Sequence, residues 1–383
     1  MKRRRLIQYG FLSSAICLSN LTFLNRKSVK AREANKIKDK NHYDWVFLYW
    51  MPYDNNLSRF GQPIIDMISR GVQTNNLLVG VESDFLDSDN LSRRIIKNGD
   101  VKVEDINATD SSDADIFAEY LDWAYSQFSA KKWGIVIVGH GGKLDEISPD
   151  DNPDSNSNQT QWMNIKDVKK VIEDFNRKIH DRIELFFFQN CNKGTLEVHH
   201  TLCDVAKYTL SSPVILGAPN YYYESLFQLI GQNPDVDGEY VARKIAEFER
   251  SDMYSTYIVT RNENLLKVIE SMNRLIDSIL ESENNLRLQT LNSNNIYFGS
   301  RYVDIIDFFN ELTNIAEADQ AKYLEFVDLL NSSVLKMQNP NEIALNSMGL
   351  SLFVPSNINN LNSYLDLPIY TKSKLLELFG AIL

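Results

Sequence analysis

The chain is poor in the residues that staple or metallate a fold: three cysteines and five histidines among 383 residues. Cys17 lies in the basic, mildly apolar N-terminal stretch, which leaves Cys191 and Cys203. A helix is expected after Cys191, which sets the two about 18 Å apart at 1.5 Å per residue. A disulfide needs Cα atoms within about 7 Å. Cys191 therefore reads as a free thiol and Cys203 as a small buried hydrophobe. His42 precedes the expected fold, His180 sits in a polar turn, and His199 and His200 lie in a helix without metal-ligand company. All four are assigned to solvent or helix surface. Positive charge is also scarce, with 40 Lys and Arg against 51 Asp and Glu and a net −11. So acidic a body repels phosphate backbones and anionic lipid, so nucleic acid is not an expected partner. No long apolar run exists either. Leu6 to Leu24 is broken by Gln8, Ser13, Ser14, Ser19 and Asn20 and is too polar and too short to span a bilayer.

What the N-terminus does have is the order of an export signal. Met1-Lys2-Arg3-Arg4-Arg5 is basic, the mildly apolar stretch follows, and Val29-Lys30-Ala31 supplies a small-residue cleavage site. The adjacent arginines followed by Leu6-Ile7 resemble a twin-arginine signal. The alternative is an uncleaved amphipathic anchor or a disordered start. Residues 1–31 hold seven basic residues and no acid, so their removal leaves 33 basic against 51 acidic residues, a formal −18. The mature chain is expected to be exported, without stable membrane insertion, and monomeric.

From Asn41 the pattern is that of alternating strands and helices. Asp44 to Trp50 and Leu77 to Glu82 are strands rich in aromatic and β-branched residues. Arg93 to Asp105, with Asn98-Gly99-Asp100 at its centre, reads as a hairpin. Ser112-Asp113 cap a helix through Phe128. Ile165 to Phe175, Gly194 to Lys207 and Glu239 to Arg250 read as helices. Val214 to Ala218 reads as a short strand and Tyr254 to Val259 as the last strand of the sheet. Such alternation gives an α/β fold with a mostly parallel sheet covered on both faces. From Glu263 the character changes: Leu265 to Leu288 and Val303 to Met337 have helical periodicity, Gly349 to Pro355 is a strand, and Lys372 to Phe379 closes the chain as a helix. Residues 41–262 are thus expected to form the α/β domain, and 263–383 a mainly helical C-terminal region packed on it.

Two of the strands end in residues fit for chemistry. Gly134-Ile135-Val136-Ile137-Val138 runs into Gly139-His140-Gly141-Gly142, and Leu185-Phe186-Phe187-Phe188 into Gln189-Asn190-Cys191. Neighbouring parallel strands joined by a crossover would carry both side chains to the carboxyl edge of the sheet, where open α/β sheets place their sites. A thiol attacks as thiolate, and an imidazolium and a helix N-terminus both lower its pKa. The developing oxyanion needs N–H donors, and the N–H groups of Gly141 and Cys191 are the candidates. Taken singly, His140 also reads as a residue closing a strand and Cys191 as a core cysteine; glycine turns of this kind also bind phosphate. The two strand ends together favour a nucleophile with its base, at the roughly 50-residue spacing of caspase-type sites.

These residues resemble the clostripain-like cysteine peptidases of the caspase-fold group, over nearly the whole chain after the signal. Trp45 to Leu57, with Tyr49, Asp54, Asn55 and Leu57, is similar to that family's first strand and turn. Gly139 to Gly142 is similar to its histidine motif. Gln189-Asn190-Cys191 with Gly194, Leu196 and Glu197 is similar to its nucleophile motif, and Gly349 to Pro355 to a distal strand. The resemblance implies a caspase-like three-layer sandwich, a catalytic His140–Cys191 dyad, and hydrolysis of peptide or protein substrates through a thioester acyl-enzyme. The family usually has an acid two places before the nucleophile to hold an arginine or lysine; here that position is Gln189. A neutral amide leaves a buried P1 charge unpaired, at a cost of several kcal/mol, so the P1 preference is expected to shift. Gln189, Asn220 and Tyr221, with Tyr222 and Tyr223, are expected to line that pocket, and Glu224 is the nearest replacement acid; a packed loop is the alternative for the tyrosines. No cofactor is expected to be required. Calcium, bound by some relatives, would fall to Asp145, Glu146, Asp150, Asp151 and Asp154, although these lack EF-hand spacing and read more simply as a solvated loop. A caspase-fold binding module with weak catalysis is the alternative function, supported by the altered position 189.

Overall fold

The structure, a computed structural model, describes residues 41–153, 159–282, 286, 295–341 and 348–383. The export segment expected over 1–31 lies outside the described residues, as does Asp154. The elements are β1 (Asn41–Tyr53), α1 (Gly61–Gly71), β2 (Leu77–Phe85), β3 (Ser92–Lys97), β4 (Asp100–Asp105), α2 (Ala114–Gln127), β5 (Phe128–Val138), β6 (Glu146–Asp150), β7 (Gln161–Asn164), α3 (Ile165–Ile179), β8 (Ile183–Gln189), α4 (Leu196–Leu202) and β9 (Ala206–Ser211). They continue as α5 (Tyr223–Gln232), α6 (Gly238–Phe248), β10 (Thr256–Arg261), α7 (Leu265–Leu280), β11 (Asn295–Tyr297), β12 (Ser300–Asp304), α8 (Ile305–Ala316), α9 (Gln320–Ser333), β13 (Val334–Gln338), β14 (Ser351–Val354), α10 (Pro368–Lys372) and α11 (Leu375–Ile382).

A nine-stranded sheet runs in the order β13-β10-β9-β8-β5-β1-β2-β3-β4. Its centre is parallel: β1 pairs with β2, β5 with β8 and β8 with β9. Both edges are antiparallel, through β10 and β13 on one side and β3 and β4 on the other. Because side chains alternate along a strand, each central strand feeds two cores. Trp45, Phe47, Tyr49 and Met51 of β1 join Val136, Val138, Leu185 and Phe187 against α1, α5 and α6. Val46, Leu48 and Trp50 join Ile135, Ile137, Phe186 and Phe188 against α2, α3 and α7. This is the three-layer α/β arrangement that strand–helix alternation requires.

Local chemistry fixes the element ends. Asn98 and Gly99 both have positive φ, 51° and 80°, the backbone of the two-residue hairpin turn that the Asn-Gly pair favours. Asp113 caps α2 by accepting the Asp115 N–H, and Asn164 caps α3 through the Lys166 N–H.

Several elements differ from the sequence-based expectation. The strand expected at 214–218 is instead β9, because the helix after Cys191 stops at Leu202 and frees Ala206–Ser211 to pair with β8. Pro213, which has no N–H to give a ladder, follows directly. Residues 214–217 then run as a loop beside Cys191, held by Asn192 N→Val214 O at 3.0 Å and Gly217 N→Met253 O at 2.7 Å. The helical reading of 303–337 misses β13, whose Val334-Leu335-Lys336-Met337 alternation pairs it with β10 in the main sheet. Residues His42–Leu383 form one compact unit. Tyr223 opens a helix that was not anticipated. His42 lies within β1, and His180 takes the left-handed C-cap position of α3. His199 and His200 are not at the surface. His199 is fully buried between Thr260 Oγ1 and Ser211 Oγ, each at 2.6 Å, and burial lowers its pKa to about 3. His200 is buried as well, and burial takes it down to about 4. Among the described residues no helix is long and apolar enough to cross a membrane.

Candidate active site

The parallel register of β5 and β8 pairs Val138 with Gln189. Two residues further on, His140 and Cys191 leave adjacent strand ends at equivalent positions. The two turns are tied together. Gly139 N donates to Gln189 O at 3.2 Å, and Asn190 Nδ2 donates to Gly139 O at 2.9 Å and to His140 O at 3.1 Å. Gly139 has a φ of 151°, a conformation that favours glycine. Gly141 is required by space: a Cβ there would lie 2.4 Å from Cys191 O and 3.3 Å from Cys191 N. The nucleophile turn is anchored from below by the distal strand, where Ser351 N and Oγ both donate to Gly194 O at 2.9 Å and Phe353 N reaches Glu197 Oε1 at 3.1 Å.

The His140 ring is half-buried, with Nε2 at 2.7 Å from Asn56 Oδ1. Burial lowers its pKa below the ordinary imidazole value, while Asp151 acts to raise it. The Cys191 thiol accepts the Leu216 N–H at 3.4 Å. Burial raises its pKa, opposed by that backbone contact, by the charge of Lys193 and by the Tyr297 hydroxyl. Tyr297, from β11, donates to Gly141 O at 2.5 Å and so covers the cleft between the two turns. Cys191 and Cys203 are both unbridged.

Gln189 is buried, and both amide protons and the amide oxygen are hydrogen-bonded. Nε2 donates to Asn220 Oδ1 and to Tyr223 Oη, the latter at 2.7 Å, and Oε1 accepts from Tyr222 Oη at 2.6 Å. Asn220 is buried beside it; Tyr221 is half-buried, with the Arg250 guanidinium 4.2 Å over its ring. Glu224 does not face this group, because it pairs with Arg70 at 2.7 Å on the surface. The buried acid near Asn220 is Glu249, whose Oε1 accepts the Tyr221 and Arg250 N–H groups at 3.0 and 2.9 Å. Burial raises Glu249 to about 7.

The acids after His140 face separate partners. Asp145 accepts from Asn164, Glu146 from Lys143, Asp150 from Ser111 and the Asn152 N–H, and Asp151 from Thr160. Asp150 also lies against the buried Asp84 carboxyl. Among the described residues no three His, Cys, Asp or Glu side chains are grouped to hold a metal ion.

Sequence reasoning missed Lys193, Glu249 and Tyr297. None has a local signal: a lysine beside a glycine reads as surface, and the other two reach the site only through tertiary contacts.

An α/β sheet with a cysteine and a histidine at neighbouring strand ends is the architecture of a cysteine-type endopeptidase. The chain belongs to the clostripain family, whose model matches residues 49–372. Clostripain of Hathewaya histolytica is 21% identical, covering 94% of this chain and 85% of its own length. Among solved structures, a secreted C11 cysteine protease from Bacteroides thetaiotaomicron in complex with an irreversible peptide inhibitor superimposes with a TM-score of 0.66. It is 18% identical over 87% of this chain and 99% of its own. An inactive zymogen C11 protease from Parabacteroides distasonis gives 0.62, at 18% identity over 86% and 98%. These two likenesses establish the caspase-like fold.

Proposed function

We propose that the chain hydrolyses peptide bonds with Cys191 as nucleophile and His140 as its base. The observation that supports this best is the Val138–Gln189 register, which delivers both residues to one sheet edge with Gly141 against the Cys191 backbone. With Asn56 Oδ1 accepting, Nε2 carries the ring proton and Nδ1 keeps its lone pair. The lowered pKa leaves the imidazole neutral at pH 7, as a base must be. The thiol proton passes to the imidazole as Sγ bonds to the scissile carbonyl carbon. The Gly141 and Cys191 N–H groups receive the oxyanion. The imidazolium returns the proton to the departing amine, giving a thioester. Water, deprotonated by the same ring, then releases the acid and restores the thiol. The scheme uses no cofactor.

The P1 preference is proposed to move from Arg and Lys toward uncharged side chains, because Gln189 supplies no charge and its oxygen is already accepting from Tyr222. Residues 263–383 act as support, and the enzyme works as an exported monomer whose signal is residues 1–31. The acid excess, the N-terminal order of charge and apolarity, and the description of the Bacteroides neighbour as secreted all favour export.

A peptide-library cleavage profile with wild-type, Cys191→Ala and His140→Ala protein tests the reading. Cys191→Ala should lose hydrolysis by about 10⁴-fold or more, and His140→Ala by about 10²–10⁴-fold. Labelling of Cys191 by a peptidyl acyloxymethyl ketone should fall in His140→Ala. Hydrolysis that survives Cys191→Ala, or labelling equal with and without the imidazole, overturns the dyad and leaves a binding module.

A further inference from the structure

We propose that Lys193 is a positioning residue of this site, clamping the His140 turn against the nucleophile turn and placing a positive charge beside the Cys191 thiolate. The inference rests on Cys191 being the nucleophile. Lys193 lies two residues past it and is 0% exposed, a rare state for lysine. Its Nζ donates to three successive carbonyls of the loop that follows His140: Gly142 at 3.3 Å, Lys143 at 2.5 Å and Leu144 at 3.5 Å. An ammonium has three donors and no acceptor, so three converging oxygens match the protonated form. Its Cε would lie 3.2 Å from a Cβ on Gly141, so the stem runs under the glycine whose N–H faces the oxyanion.

The charge is not placed there for packing. An apolar side chain of similar length would fill the same volume without the desolvation cost of a buried ammonium. That cost is visible in Lys193 itself, which burial lowers to about 7 while Asp145, Glu146 and Cys191 pull it back up. Among the described residues, the side chains that act on the thiol include Lys193 from its own turn, Tyr297 from β11 and Tyr257 from β10. Of these Lys193 is the group that can carry positive charge: with its pKa near 7 it is about half protonated at neutral pH, and the Cys191 thiolate draws it toward the ammonium form. His140, its pKa lowered, is neutral at pH 7 and serves as the base rather than as the standing charge.

The test is the rate of iodoacetamide alkylation at Cys191, located by peptide mass, across pH 5 to 9.5. It is run on wild-type, Lys193→Met and Lys193→Gln protein, with folding checked by circular dichroism and melting. Lys193→Met should raise the alkylation midpoint by about one pH unit and slow alkylation at pH 7 about tenfold. The same variant should lower kcat more than it changes KM. Lys193→Gln keeps a donor to the loop but no charge, so its midpoint should move as far. A folded Met or Gln variant with the wild-type midpoint overturns the proposal. If hydrolysis instead survives in Cys191→Ala, the nucleophile assignment is what has failed. The alkylation profile at position 191 is read without hydrolysis, so the two failures separate.

Discussion

Cys191 and Gln189 stand two residues apart at one strand end, in opposite electrostatic surroundings. Around Cys191 the protein buries a lysine and aims the Leu216 N–H at the sulfur, with the half-buried His140 imidazole at the end of the adjacent strand. Around Gln189 it places neutral amides and phenols, Asn220, Tyr222 and Tyr223, each hydrogen-bonded to the Gln189 amide. A nucleophile needs its anion stabilised before substrate arrives, so charge beside it is useful even though burial makes it costly. A pocket that recognises by shape and neutral hydrogen bonds has no such need. The carboxyl nearest to this group is that of Glu249, held largely protonated by burial, so the pocket meets an incoming cation mainly with neutral groups. The same edge of the sheet thus separates chemistry from recognition by where it puts charge.

Breaking that contrast on the pocket side should have the largest effect. Gln189→Glu keeps the side-chain length and still accepts from Tyr222, while Tyr223 and Asn220 can turn to donate. It puts a carboxylate where the family usually carries one. On matched fluorogenic peptides it should raise kcat/KM for P1 Arg or Lys relative to an uncharged P1 by about 10- to 100-fold, the scale set by pairing a buried charge. An unchanged P1 profile would mean that Gln189 does not line the pocket.

Glu249 sharpens the comparison. Burial raises its folded pKa from 4.5 to about 7, so it stays protonated in the folded protein where the unfolded chain ionises. Its favourable contribution is complete below about pH 4.5 and is lost as pH rises through 7. Glu249→Gln retains an oxygen for the Tyr221 and Arg250 N–H groups and has no proton to lose. In urea unfolding the variant should match wild type near pH 4 and exceed it by about 2 kcal/mol at pH 8. Equal stability at both pH values would mean that this acid is solvated rather than buried.

The legible part of this molecule is the part written in local pattern. Ile135 to Val138 and Leu185 to Phe188 are apolar runs ended by Gly139 and Asn190, and both proved to be adjacent central strands. Asn98-Gly99 gave its hairpin because that pair suits the turn's backbone. The α/β class followed from alternation alone. What stayed hidden depends on burial, which a short window does not report. His199 and His200 look like a polar helix face, yet α4 is enclosed on all sides. Lys193 looks like a surface residue because nothing near it in sequence announces three waiting carbonyls. The strand read at 214–218 fails for a related reason: of Val214-Ile215-Leu216 it is the Leu216 backbone that meets the thiol, while Ile215 faces solvent and none of the three pairs in the main sheet.

Tyr297 provides the smallest and most discriminating change. Its hydroxyl has one proton, which the Gly141 carbonyl takes at 2.5 Å. Toward the resting thiol it therefore presents a lone pair, and to stabilise a thiolate it must first give up Gly141 O. The exchange of one neutral hydrogen bond for another yields little. The Tyr297→Phe ring still packs edge-on to Phe298, at 4.7 Å between centroids, so the cover over the cleft persists. Its alkylation midpoint should rise by a few tenths of a pH unit and kcat/KM fall by about threefold or less. This is well short of the full unit expected for Lys193→Met. The ranking is the informative result. If the phenol outweighs the lysine, the thiolate is held by hydrogen bonding and not by charge, and the electrostatic contrast between Cys191 and Gln189 loses its main support.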